Sequence, residues 1–171
     1  MNRFSSICKA SGETSIMAAL SQVVRSARYA WSAPCTAVGL FVALLALPFG
    51  VRASIVNSVI EFAISPGKGR LRAMLPSLPF RAITLGHVIV GCSHSELCRV
   101  RSHEAVHVRQ YERWGPLFFL AYPASSLIQL LRGKRPYLDN HFELQARAVA
   151  ESTEGDAAFR AIAAPPGPER L

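Results

Sequence analysis

Charge is scarce in this chain, and acid is scarcer than base. Of 171 residues 18% are charged, with 11 Asp+Glu against 19 Lys+Arg and a formal net charge of +8. Half of the residues are apolar and mean hydropathy is positive, a composition that argues for membrane contact. Aromatics make up 9% and do not interleave with the basic residues as the stacking platform of a nucleic-acid binder does. No nucleic-acid partner is therefore expected, and anionic lipid head groups suit the scattered basic residues better. Cysteine is sparse as well. Cys8, Cys35, Cys92 and Cys98 form no CxxC pair, so a zinc ribbon is not indicated; Cys92 and Cys98 read as free thiols. The length fits one domain with a real core.

In place of charge the chain has long apolar runs. Residues 1–32 form a basic leader, either disordered or helical over residues 16–29 with Met17, Leu20, Val23 and Val24 as apolar positions. Residues 33–51 carry no charge and are long enough to cross a bilayer core of about twenty residues. Trp31 and Arg52 flank the run as interfacial anchors. An uncleaved anchor is expected, with a signal peptide as the other reading; the segment ahead is long for a signal unless translation starts at Met17. Residues 54–64 are rich in β-branched side chains and predict a strand, with helix as the alternative. Pro66-Gly67-Lys68-Gly69 predicts a turn, and Pro76 and Pro79 punctuate an irregular stretch. Residues 82–90 predict a second strand, Gly86 marking a bulge or a close backbone approach. A loop over residues 91–98 leads into a helix, with Ser95 as its expected N-cap. Residues 117–131 are again charge-free. They are short for a span and interrupted by Pro123, so they fit a short or re-entrant membrane helix or a buried one. The expected fold class is α+β: mostly helical, with a small sheet and one or two membrane-associated helices. Residues 52–150 form the functional domain and 151–171 a tail.

The chemistry centres on His103-Glu104-Ala105-Val106-His107. In a helix of about 3.6 residues per turn, positions four apart share a face, so both imidazoles can close on one ion. Glu104, about a quarter turn away, can handle a metal-bound water without ligating the metal. Two imidazoles and a carboxylate base are the parts of a zinc hydrolase. The same face carries Val100, Gln110, Tyr111 and Trp114, a stripe that would seat the helix on a core. A catalytic zinc site needs a third ligand. Glu112 falls on the wrong side of the helix. Glu143, in the first turns of a helix opened by Asp139-Asn140, is the easier geometry, with small Ala146 and Ala148 permitting close helix approach and His141 as the other candidate ligand.

His-Glu-x-x-His followed, after a hydrophobic interruption, by Glu143-x-x-Ala146 resembles the gluzincin zinc metallopeptidases. The nearest pattern is that of membrane-embedded members such as the CAAX prenyl protease and the bacterial heat-shock membrane protease. Residues 82–150 also look like a group of small bacterial membrane proteins, which implies a bacterial inner-membrane location. The resemblance implies His103, His107 and Glu143 as Zn²⁺ ligands and Glu104 as the general base. One departure is clear: the family continues with an aspartate that orients a zinc-bound histidine, and this chain has Arg147 there. Asp139 or Glu151 is then expected to take that role, with Tyr137, His141 and His87 as candidate oxyanion donors. The expected function is a membrane-associated zinc hydrolase, a metallopeptidase acting on a peptide or protein near a bilayer. An extended substrate could pair with the strand at residues 82–90. The alternative is a non-catalytic membrane protein with a structural metal site.

Overall fold

In a computed structural model the described residues are 3–47, 50–64 and 81–152, with side chains of the first helix described from Met17 onward. The elements run α1 (Arg3–Ala46), β1 (Val51–Val56), β2 (Val59–Ile64), β3 (Ala82–Leu85), β4 (Val88–Gly91), α2 (His94–Trp114), a 3-10 turn (Gly115–Leu117), α3 (Phe118–Leu131) and α4 (His141–Glu151). The fold is α+β, as the sequence predicts. The turn at Pro66-Gly67-Lys68-Gly69, the stretch around Pro76 and Pro79, and the tail from residue 153 lie outside the described residues.

The two expected strands are in fact two hairpins. Val56 and Val59 close one around Asn57 and Ser58, both at positive φ (51° and 63°), the backbone of a two-residue turn that follows strand twist. Leu85 and Val88 close the other around Gly86, at φ 63°, and His87. β2 and β4 then pair in parallel, giving the sheet order β1-β2-β4-β3 with β3 at an edge.

In the two inner strands, β2 and β4, side chains alternate between two covered faces, as the two-residue period of a strand requires. Val59, Ala63 and Ile89 pack with Leu97, Ala105 and Val108 of α2. Phe62 and Val88 pack with Ala43 of α1. Covered on both faces, β4 reads as a continuous apolar run instead of an alternating one, and β2 nearly so. β2 also brings in a charge: Glu61, almost fully buried, accepts from the Arg101 guanidinium at 2.8 and 2.9 Å. Removing one partner of such a buried pair costs about 3–5 kcal/mol, so this pair pins α2 to the sheet just before its two histidines.

α1 is one helix across the boundary expected at residue 32, with Pro34 inside it. Ser32, Cys35 and Ala43 are fully buried at helical spacing, and Gly39 completes that stripe. A Cβ on Gly39 would stand 2.7 Å from the Leu85 carbonyl oxygen, and one on Gly86 would stand 2.4 Å from the Thr36 nitrogen. Small residues on both partners let the hairpin lie directly on the helix. The outward side is large and apolar, with Phe41 63% and Leu45 59% exposed. Two helical stretches, Met17–Ala46 and His94–Leu131, are long and apolar enough to cross a membrane.

α2 starts two residues earlier than Ser95 predicts. Ser93 is its N-cap, its Oγ accepting from the Glu96 amide at 3.1 Å. Gly115, at φ 53°, ends the helix, and Pro116 sits in the following 3-10 turn, where no amide proton is needed. Asn140 caps α4, its Oδ1 accepting from the Phe142 amide at 2.9 Å.

Candidate metal centre

The helix periodicity puts His103 and His107 side by side, and α4 crosses α2 so that Glu143 meets both. His107 Nε2 lies 3.1 Å from His103 Nε2. Glu143 Oε1 lies 3.3 Å from His107 Nε2, and its Oε2 lies 3.3 Å from His103 Nε2. Zinc-to-donor bonds of about 2.0–2.1 Å in tetrahedral geometry imply donor separations of about 3.3–3.4 Å. The three side chains therefore stand at the mutual distances that one small ion spans, and together they could hold a metal. Glu143 is buried, yet among the described residues no hydrogen bond reaches its Oε2. A buried carboxylate oxygen without a donor is costly, and a cation between it and the imidazoles removes that cost. The donor set fits zinc.

The neighbours fix the orientation of these side chains. Gln110 donates both amide hydrogens, to the Phe142 carbonyl at 3.1 Å and to Gln145 Oε1 at 2.9 Å. Its own Oε1 faces His107 Nδ1 at 2.8 Å and must accept. His107 thereby carries a proton on Nδ1, and its Nε2 is the nitrogen that faces Glu143. Tyr122 donates to Glu143 Oε1 at 2.8 Å. Burial opposes the Glu143 charge, but the His103 and His107 imidazoles that face it and the Tyr122 hydroxyl outweigh burial and hold the carboxyl well below the usual carboxylate range. Burial likewise opposes protonation of His107. The hydrogen bond to Glu143 and the charges of Glu104 and Glu143 prevail and raise it.

Glu104 is buried beside this group, its Oε2 accepting from the Thr84 hydroxyl at 2.6 Å. It shares a cavity of about 320 Å³ with His107, Glu143, Tyr122, Tyr137 and the strand β3. Tyr137 is pushed up to about 12 by burial and by the charges of Glu143 and Glu104, so its phenol stays a proton donor at neutral pH.

The other sequence candidates lie elsewhere. Asp139 orients no histidine: it accepts from the Arg135 amide at 2.9 Å and pairs with the Arg135 guanidinium. Glu151 is exposed at the end of α4. His141 is exposed, two residues before Glu143; at about 100° per residue it faces away from the cluster. His87 caps the β3–β4 turn and bonds Glu112 at 3.1 Å and Ser32 at 3.2 Å, on the side of α2 away from the ligands. Ala146 is fully buried at the helix crossing, whereas Ala148 is exposed. Cys35, Cys92 and Cys98 are free thiols.

Sequence reasoning missed three partners. Gln110 was on the right face, three residues after His107, but its role depends on α4. Tyr122 is the one titratable side chain in residues 117–131, a signal hidden by the apolar character of that run. Thr84 had no local signal at all. No protein-family model, curated protein or solved structure matches this chain.

Proposed function

We propose that the chain is a membrane-anchored, zinc-dependent hydrolase, a metallopeptidase of the gluzincin kind, with α1 as the anchor, in a bacterial inner membrane. The observation that carries the reading is the convergence of His103, His107 and Glu143 at separations one tetrahedral ion spans, with Glu104 in the same cavity. A divalent ion bound there would polarise a scissile carbonyl and acidify a water. Glu104 serves as the base: Thr84 occupies Oε2, so proton uptake falls to Oε1. The protonated Tyr137 phenol is the donor available to a developing oxyanion. β3 is an edge strand that walls the cavity with Ile83, Thr84 and Leu85. An extended peptide added to that edge would run past Glu104 and His107. Gln110 takes over the orienting task of the missing aspartate, with a neutral acceptor where a carboxylate would be stronger.

Metal analysis and peptide cleavage by the full chain in detergent test the proposal. About one zinc per chain is expected, lost in His103→Ala and Glu143→Ala. Glu104→Gln should keep the zinc and lose cleavage by about a hundredfold or more. Undiminished cleavage by that variant would end the enzyme reading and leave the metal site standing. A wild-type protein that retains no zinc would end both.

A further inference from the structure

Thr84 holds the Glu104 carboxylate at 2.6 Å, and both residues are buried. It does so from β3, a strand of four residues at the edge of the sheet. In an antiparallel ladder only alternate residues exchange hydrogen bonds with the partner strand. The Cys92 amide donates to the Arg81 carbonyl at 3.0 Å, and Leu85 faces Val88 across the two-residue turn. Arg81, Ile83 and Leu85 therefore direct their main-chain groups at β4. Ala82 and Thr84 direct theirs at the open side, where β3 walls the cavity that Glu104 and His107 also line. The main chain of Thr84 thus faces an incoming strand while its hydroxyl grips Glu104. A β-branched side chain is stiff about its first torsion, so the hydroxyl follows the main chain closely.

We propose that Thr84 is a positioning residue that couples substrate docking to the base. An extended peptide bonded to the main chain of Thr84 and Ala82 fixes β3, and with it the Glu104 carboxylate, where it can take a proton from the attacking water. This inference rests on the hydrolase reading and adds a requirement on the substrate. Among the described residues β3 is hydrogen-bonded into the sheet on one side only, and such an edge is the part of a sheet that opens most easily. A second strand on the open side closes it. Contacts remote from the reacting bond are thereby used in the reaction step, so main-chain pairing governs turnover as well as binding. The substrates are unfolded or extended segments of polypeptide.

The test uses the full chain in detergent with casein, an unfolded chain, and with a short peptide centred on a casein bond that the wild type cleaves. Thr84→Val keeps the shape of the side chain and removes the hydroxyl. It should retain zinc and lower kcat by about ten- to a hundredfold, the worth of a hydrogen bond to a charged group, with KM within about twofold. Thr84→Ser should recover most of kcat. N-methylation of the peptide, one amide at a time, should find a position where kcat falls, and that fall should vanish in Thr84→Val. In Glu104→Gln the intact peptide should slow hydrogen exchange at the Ala82 and Thr84 amides, a readout without turnover. Wild-type kcat in Thr84→Val overturns the proposal, as do a serine variant no better than valine, N-methyl effects confined to KM, and unaltered exchange. Loss of zinc or a lowered unfolding midpoint in Thr84→Val overturns it in favour of a structural role. All of these failures leave the hydrolase reading standing. A wild type that cleaves nothing in casein removes that reading, and this proposal with it.

Discussion

At the scale of single residues, the proposed metal centre depends on which nitrogen of His107 carries the proton, and Gln110 decides that. Replacing Gln110 with alanine leaves Nδ1 without its acceptor and lets the tautomer and ring orientation relax. The loss of such a partner typically weakens metal affinity by about 10–100-fold; competition with a chromophoric chelator measures it. Unchanged affinity would mean that the packing of α2 alone orients the ring. The proton balance yields a second prediction. In the metal-free protein His107 is raised above its ordinary value, so its contribution to stability is full below the unfolded-state pKa and is lost as pH rises through the folded value. Zinc binding requires the same imidazole to be neutral, so zinc affinity falls as pH drops. Glu143, held low, loses its contribution only in strong acid. Between about pH 5.5 and 8 the loss of the His107 proton should therefore tilt metal-free stability downward with rising pH, whereas the stabilisation added by zinc grows. Unfolding midpoints with zinc and with chelator across that range would show opposite trends; parallel curves would contradict the assignment.

At the scale of elements, the junction of α2 with the next turn is held by one glycine. Gly115 has φ 53°, and a Cβ there would lie 2.4 Å from the Trp31 ring of α1. Gly115→Ala combines backbone strain with overpacking and should cost about 2–4 kcal/mol, seen as a lower unfolding midpoint. Adding Trp31→Ala should recover the part due to the clash and leave the part due to φ. Much of this level was legible in the sequence, and the failures share a cause. His103, Glu104 and His107 were visible because four-residue spacing is local, and Glu143 because it opens a helix after a recognisable cap. The hairpins were hidden because Asn57-Ser58 and Gly86-His87 are turns of only two residues, too short to break the β-branched runs that contain them. α1 read as two segments because its first part carries the basic residues whereas residues 33–51 carry no charge. In the fold Ser32 is buried against His87, and the helix continues through Pro34. Thr84, Gln110 and Tyr122 acquire their roles only when β3, α4 and α3 meet around α2, which no local pattern encodes.

At the scale of the whole molecule, the distribution of size and polarity on α1 is the reverse of that on a soluble protein's surface helix. Its buried stripe is small and partly polar, Ser32, Cys35 and Ala43, while Phe41, Leu44 and Leu45 face outward. α3 repeats the pattern: only Phe118 of that helix is buried, and Leu120 and Leu131 are 71% and 79% exposed. Left to water, such faces would be aggregation surfaces; against lipid they incur no penalty. The two environments predict opposite outcomes for Phe41→Lys with Leu45→Lys, neighbours one turn apart on the outer face. In a bilayer each lysine near the centre of a span costs about 2.5–3.5 kcal/mol, so the variant should leave the alkali-washed membrane fraction of the expressing cell. Wild type should stay in it. In water the same changes would be nearly neutral, within about 0.5 kcal/mol each, and would merely improve solubility. A wild-type chain that proves soluble and monodisperse without detergent would remove the anchor. If that soluble form were a dimer dispersed by the two lysines, the outer face of α1 would belong to a second copy instead of to lipid.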